Sequence, residues 1–91
     1  MQELTAFQRD VLVVLNDVDG LNGREIKEKL EREGDREVHH ARLYTNLNEL
    51  LDDGYVDKSS LDGRTNEYSV TEKGTDALRT RLQWERDQLA P

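Results

Sequence analysis

The stretch ARLYTNLNELLDDGYVDKSSLDGRTNEYSVTEKG, residues 41–74, decides how the rest of the chain is read. Leu43, Leu47, Leu50 and Leu51 fall at i, i+4, i+7 and i+8, the spacing that lines up apolar side chains on one face of an α-helix. This predicts a helix from Val38 or His39 to Gly54, with glycine as its stop. Tyr55 to Ser59 then reads as a strand, Ser60 to Asn66 as a hairpin tip and Glu67 to Val70 as the returning strand. Asp62-Gly63 is a turn signal because glycine supplies positive φ. Tyr68 and Val70 alternate with Glu67 and Ser69, which gives the return strand one apolar and one wet face. Thr71 offers its hydroxyl to the free amides of a further helix, and Glu72 sits near the positive end of that helix dipole.

Upstream, Thr5 can cap a first helix in which Phe7, Val11, Val14, Leu15 and Val18 recur at helical spacing until DVDG, residues 17–20, ends it. Leu12 and Val13 fall off that stripe. A helix that is apolar on more than one side has more than one partner, so part of this helix is expected to face another subunit. Asn22 followed by Glu25 has the form of a capping box and opens a second helix, Gly23 to about Glu33, whose apolar side is only Ile26 and Leu30. The last helix, about Glu72 to Leu89, carries Leu78, Leu82 and Leu89 on one side and Ala77 with Trp84 on another. For Trp84 the sequence leaves three roles open: core residue, dimer anchor or wall of a ligand pocket.

The expected fold class is mainly α with a small β-hairpin (α+β), the plan of a winged helix-turn-helix with a C-terminal dimerisation helix. Residues 1–71 form the winged helix-turn-helix and residues 72–91 the dimerisation helix. On a 100° wheel Thr45 points away from the leucine stripe, with Arg42 and Asn48 flanking it. That face is polar and nearly free of carboxylates in its first two turns, and in this architecture it is the face that enters a DNA major groove. Arg42 suits a guanine edge, Asn46 or Asn48 an adenine, and Thr45 a thymine methyl or a phosphate. Arg64 at the hairpin tip, with Asn66 beside it, is placed for the adjacent minor groove or a phosphate, and Lys58 is the second wing contact.

Bulk composition sets a conflicting condition. The 91 residues hold 20 Asp and Glu against 13 Lys and Arg, a net charge of −7, and this balance repels phosphate at low salt. Only Lys27, Lys29, Lys58 and Lys73 among the basic residues are lysines, and the acids are spread along the chain. Two explanations stand: a surface adapted to concentrated salt, where repulsion is screened over a few ångströms, or an ordinary acidic domain. The absence of cysteine excludes disulfides and thiolate metal sites and fits a reducing interior. VLVVL, residues 11–15, is the longest apolar run and is far short of a membrane span, so the expected location is cytoplasmic and no membrane partner is called for. His39 and His40 are adjacent and point about 100° apart on a helix, which makes no metal-binding face. A phosphate contact or a cap suits His39, and packing suits His40. No phosphate loop or Ser/His/Asp arrangement stands out, so neither an enzyme nor a cofactor is expected, while a small-molecule effector stays open without a residue to support it.

VHHARLYTNLNELLDDGYVDK, residues 38–58, together with GRTNEYSVTEKG, residues 63–74, resembles the PadR family of transcriptional regulators. The family pattern of Leu-Tyr-x-x-Leu-x-x-Leu, an acidic-Gly helix end and a wing of the form Arg-x-x-x-Tyr-x-Leu-Thr-x-x-Gly is matched by Leu43, Tyr44, Leu47, Leu50, Asp53 and Gly54, then Arg64, Tyr68, Val70, Thr71 and Gly74. Thr45 stands where the family usually has proline, and the terminal helix is short. The acidity with few lysines is similar to that of haloarchaeal members. The resemblance implies a homodimeric regulator of double-stranded DNA, a repressor, with the first and last helices pairing across a two-fold axis. The residues expected in that interface are Leu12, Val13, Leu78, Leu82, Trp84 and Leu89. The competing possibility is an acidic winged-helix module that binds another protein.

Overall fold

A computed structural model describes residues 4–18, 20–34, 36–60, 62–63 and 65–90. In chain order the elements are α1 (Ala6–Asp17), β1 (Leu21–Asn22), α2 (Gly23–Gly34), α3 (His40–Asp52), β2 (Val56–Ser60), β3 (Asn66–Val70) and α4 (Glu72–Leu89). The three strands form one antiparallel sheet in the order β1-β3-β2. This is the winged helix-turn-helix arrangement expected for the α+β class.

Three of the four helices, α1, α2 and α4, begin where the sequence supplies a side-chain cap. The Thr5 hydroxyl accepts from the Gln8 amide while the Gln8 side chain accepts from the Thr5 amide. Asn22 and Glu25 exchange the same reciprocal pair at 2.8 and 2.9 Å, and the Thr71 hydroxyl accepts from the Gly74 amide. α3 ends as its Asp53-Gly54 sequence predicts. The Gly54 amide donates to the Leu51 carbonyl and the Tyr55 amide to the Leu50 carbonyl, with Gly54 at φ 81°, a closure that only glycine adopts without strain.

Core residues come from every element except α4, whose Ala77 and Leu78 pack half-buried against the core. Val11, Leu12, Ile26, Leu43 and Leu47 are wholly buried, and Val56 and Tyr68 close the sheet side. Leu12 corrects the sequence expectation. It is 0% exposed inside its own subunit and so cannot lie on an interface; of the two residues off the α1 stripe only Val13, at 52%, is exposed. Val18 lies beyond α1 as its exposed C-cap instead of extending the stripe. α3 starts at His40, because Val38 turns inward to the core and donates its amide to Glu31 Oε2, leaving His39 as the N-cap.

β1 was not anticipated. Its two residues are too few to show any alternation, and Asn22 also caps α2. Leu21 and Asn22 pair with Tyr68 and Glu67, so the turn from α1 into α2 is stitched to the wing. Thr71 joins the same region, its amide bonding to the Tyr55 carbonyl and its hydroxyl to the Gly54 carbonyl.

Candidate nucleic-acid interface

The outer face of α3 is presented as its periodicity requires. Leu43, Leu47 and Leu50 are buried, while Arg42, Thr45 and Asn48 are exposed on the opposite side. From His39 to Asn48 there is no carboxylate, and Glu49 is the first. His39 is exposed as the N-cap and makes no side-chain cap hydrogen bond, so its imidazole is not engaged in closing the helix. His40 packs on Tyr44, ring centroids 4.5 Å apart.

Two of these side chains are tied to α1. The Arg42 guanidinium lies 4.2 Å from the centroid of the Phe7 ring, and Arg36 approaches the same ring at 5.7 Å while pairing with Asp10 at 2.6 Å. Asn46 is half-buried: Oδ1 accepts from Gln8 Nε2 and Nδ2 donates to the Arg42 carbonyl. It is therefore placed differently from Arg42, Thr45 and Asn48, which the sequence grouped with it.

In the wing, register sorts charge by face. Lys58 is opposite Tyr68 and Ser60 is opposite Asn66, so Lys58, Ser60 and Asn66 share the strand face of Tyr68, whereas Asp57 and Glu67 lie on the other. Lys58 and Asn66 are exposed. Thr65 donates its amide to Asp62 Oδ1 and Gly63 to Ser60 Oγ, which organises the tip. Arg64, expected at this tip, lies outside the described residues.

Among the described residues, ion pairs engage Arg24, Lys27, Lys29, Arg36, Arg79 and Arg81, and none takes Arg42 or Lys58. Most basic side chains on α2 and α4 thus answer a carboxylate of the same or a neighbouring helix. Among the described residues no group of three His, Cys, Asp or Glu side chains is arranged to hold a metal ion, and no helix is long and apolar enough to cross a membrane.

A second surface lies between α1 and α4. Val13, Leu82, Trp84 and Leu89 are exposed, and Leu78 is half-buried against the core. Val13, Asn16, Thr75, Leu78 and Leu82 line an open groove of about 460 Å³. Trp84 is 51% exposed with Arg81 over its ring at 4.6 Å, which excludes the core role for it within one subunit.

The family model for the transcriptional regulator PadR-like family matches residues 11–80. The chain belongs to the PadR-like family. Among solved structures it is similar to RosR of H. salinarum, with 44% identity, 99% of this chain and 82% of RosR covered, and a TM-score of 0.90. A RosR complex structure gives 44% identity, coverage of 99% and 78%, and a TM-score of 0.91. B. subtilis PadR in complex with operator DNA is 21% identical over 86% of this chain and 47% of PadR, with a TM-score of 0.73, a likeness of fold. Apo MarR from E. coli shares the fold in the same way, at 23% identity, 89% and 57% coverage and a TM-score of 0.76. No protein of curated function matches the chain. The winged-helix architecture and the regulator family read from residues 38–74 are thus the ones found.

Proposed function

We propose that this PadR-like regulator binds double-stranded DNA sequence-specifically as a homodimer and represses transcription, with α3 in the major groove and the β2–β3 wing beside it. The observation that carries this is the exposed face of α3: in a chain of net charge −7 it presents Arg42, Thr45 and Asn48 without a carboxylate among them. Arg42 is the guanine reader, Asn48 addresses an adenine edge, and Thr45 takes a thymine methyl or a phosphate. His39, Lys58, Asn66 and Arg64 hold the backbone in register. The chain's membership of the PadR-like regulator family supports this reading, and operator DNA is the ligand of the fold relative PadR.

The same proposal assigns residues 1–71 to DNA binding and residues 72–91 to dimerisation. Val13, Leu78, Leu82, Trp84 and Leu89 meet their counterparts across a two-fold axis. Such a dimer sets its recognition helices about one turn of DNA apart, near 34 Å. Selection of bound sequences from a random duplex pool tests it. An enriched short inverted repeat with that half-site spacing is expected, and enrichment of no sequence, together with retention of a basic protein partner, would replace it with the protein-binding alternative.

A further inference from the structure

Gln8 is the buried polar side chain among the described residues, 7% exposed. Both of its donors and its acceptor oxygen are engaged. Oε1 accepts from the Thr5 amide at 3.1 Å, and Nε2 donates to Asn46 Oδ1 at 3.1 Å and to Glu49 Oε2 at 2.9 Å. Asn46 Nδ2 in turn donates to the Arg42 carbonyl at 2.8 Å, one helical turn back. One amide therefore joins the cap of α1 to the middle of α3, and a second carries the link to the backbone of Arg42.

An asparagine that reads adenine must aim its donor and its acceptor together at the base edge. The acceptor of Asn46 is turned inward to Gln8, and its donor closes on its own helix. Presenting both to a base would leave the buried Gln8 donor without one of its partners, which is costly away from water. Asn48, exposed and making no such bridge, has neither constraint.

We propose that Gln8 and Asn46 are positioning residues, not base readers: their paired amides set the rotation of α3 about its axis, and so the angle at which Arg42, Thr45 and Asn48 enter the groove. The same bridge holds the Glu49 carboxylate against α1. This rests on the DNA-binding reading above and, of the two adenine readers the sequence offered, Asn46 and Asn48, keeps only Asn48.

The test uses the operator selected by the wild-type protein and all its single-base-pair variants, measured against wild type, Gln8→Met, Asn46→Ala and Asn48→Ala. Gln8→Met and Asn46→Ala should each weaken binding to every duplex by a similar factor, about three- to tenfold, with the order of preference among bases unchanged. The double variant should be no weaker than the worse single one, because both changes break one bridge. Asn48→Ala should instead relax preference at one base pair, by about tenfold. Relaxation at one base pair by Asn46→Ala, with Gln8→Met leaving that preference intact, would overturn the proposal. Should Gln8→Met fail to fold, the Asn46 side-chain amide resonances of the wild-type protein decide: they should stay in place when operator is added, and a shift that follows base identity would contradict the bridge. A wild-type protein that selects no sequence would remove the DNA-binding reading itself, a separate outcome from a wild type that binds through Asn46.

Discussion

Arg42 on the exposed face of α3 rests its guanidinium 4.2 Å from the centre of the Phe7 ring in the first turn of α1. Phe7 is only 4% exposed, so Arg42, with Arg36, covers the face of its ring while itself remaining exposed. The contact holds a flexible side chain in place before any ligand arrives, which lowers the entropy lost on binding.

Arg42→Ala should therefore separate stability from binding. Loss of an exposed cation–π contact is expected to cost at most about 1 kcal/mol in urea unfolding. Affinity for the selected operator should fall by about 1–3 kcal/mol if the contact is bidentate to guanine. An equal loss in both measurements would assign Arg42 a purely structural role.

The start of α2 at Gly23 lies against the Tyr44 side chain of α3. A Cβ there would overlap the Tyr44 hydroxyl and ring, so any larger residue at 23 displaces the Tyr44 side chain. Gly23→Ala should destabilise the protein by about 1–3 kcal/mol. Adding Tyr44→Phe removes the hydroxyl that the new methyl meets and should recover part of the loss, a coupling that a double-mutant cycle reads directly.

Stability in acid should carry the signature of Glu31. Its carboxylate accepts from the Val38 amide and pairs with Lys27, and these two, in that order, hold its pKa below the ordinary 4.5. A depressed carboxylate stabilises the fold fully above 4.5 and loses that contribution as pH falls through its lower folded value. Glu31→Gln should consequently narrow its deficit against wild type below that pH, measured by urea unfolding across the acid range. A deficit independent of pH would show that the charge does not matter to the α2–α3 turn.

The two neighbours Leu12 and Val13 should behave oppositely. Leu12→Ala is expected to cost about 2–5 kcal/mol of folding free energy, because it opens a cavity in a closed core. Val13→Lys should leave the subunit folded and, on the proposed interface, shift sedimentation from dimer to monomer, as should Trp84→Ala. Dimerisation unaffected by both changes would place the two-fold axis elsewhere.

That contrast also shows where the sequence was legible. Periods of 3.6 and 2 placed α1 to α4 and the hairpin within a residue or two, since Thr5, Asn22 and Thr71 cap where their types predict and Gly54 closes α3. Surplus apolar positions were visible, but a wheel cannot say whether a second face meets the sheet and α2 or a partner. Leu12 is buried within the chain, and Val13 is left exposed. The exposed polar face of α3 was legible too, whereas the Gln8–Asn46 bridge spans residues far apart in sequence and has no local pattern. Gln8 nevertheless had a trace, as the capping partner of Thr5, and its burial is what turned a cap into a link. β1 was lost to its brevity.

On the proposed function, an acidic chain binds specific DNA through a carboxylate-free patch. Fluorescence anisotropy against DNA from immediately upstream of its own gene, at low and at molar potassium chloride, tests it most directly. At 1 M salt the repulsion of a net −7 chain is screened within about 3 Å, and cations can occupy the carboxylate borders of the interface. Saturable binding should then survive molar salt with a shallow or reversed salt slope and fail on scrambled DNA. A steep conventional loss of affinity with salt, or no discrimination against the scrambled duplex, would contradict it.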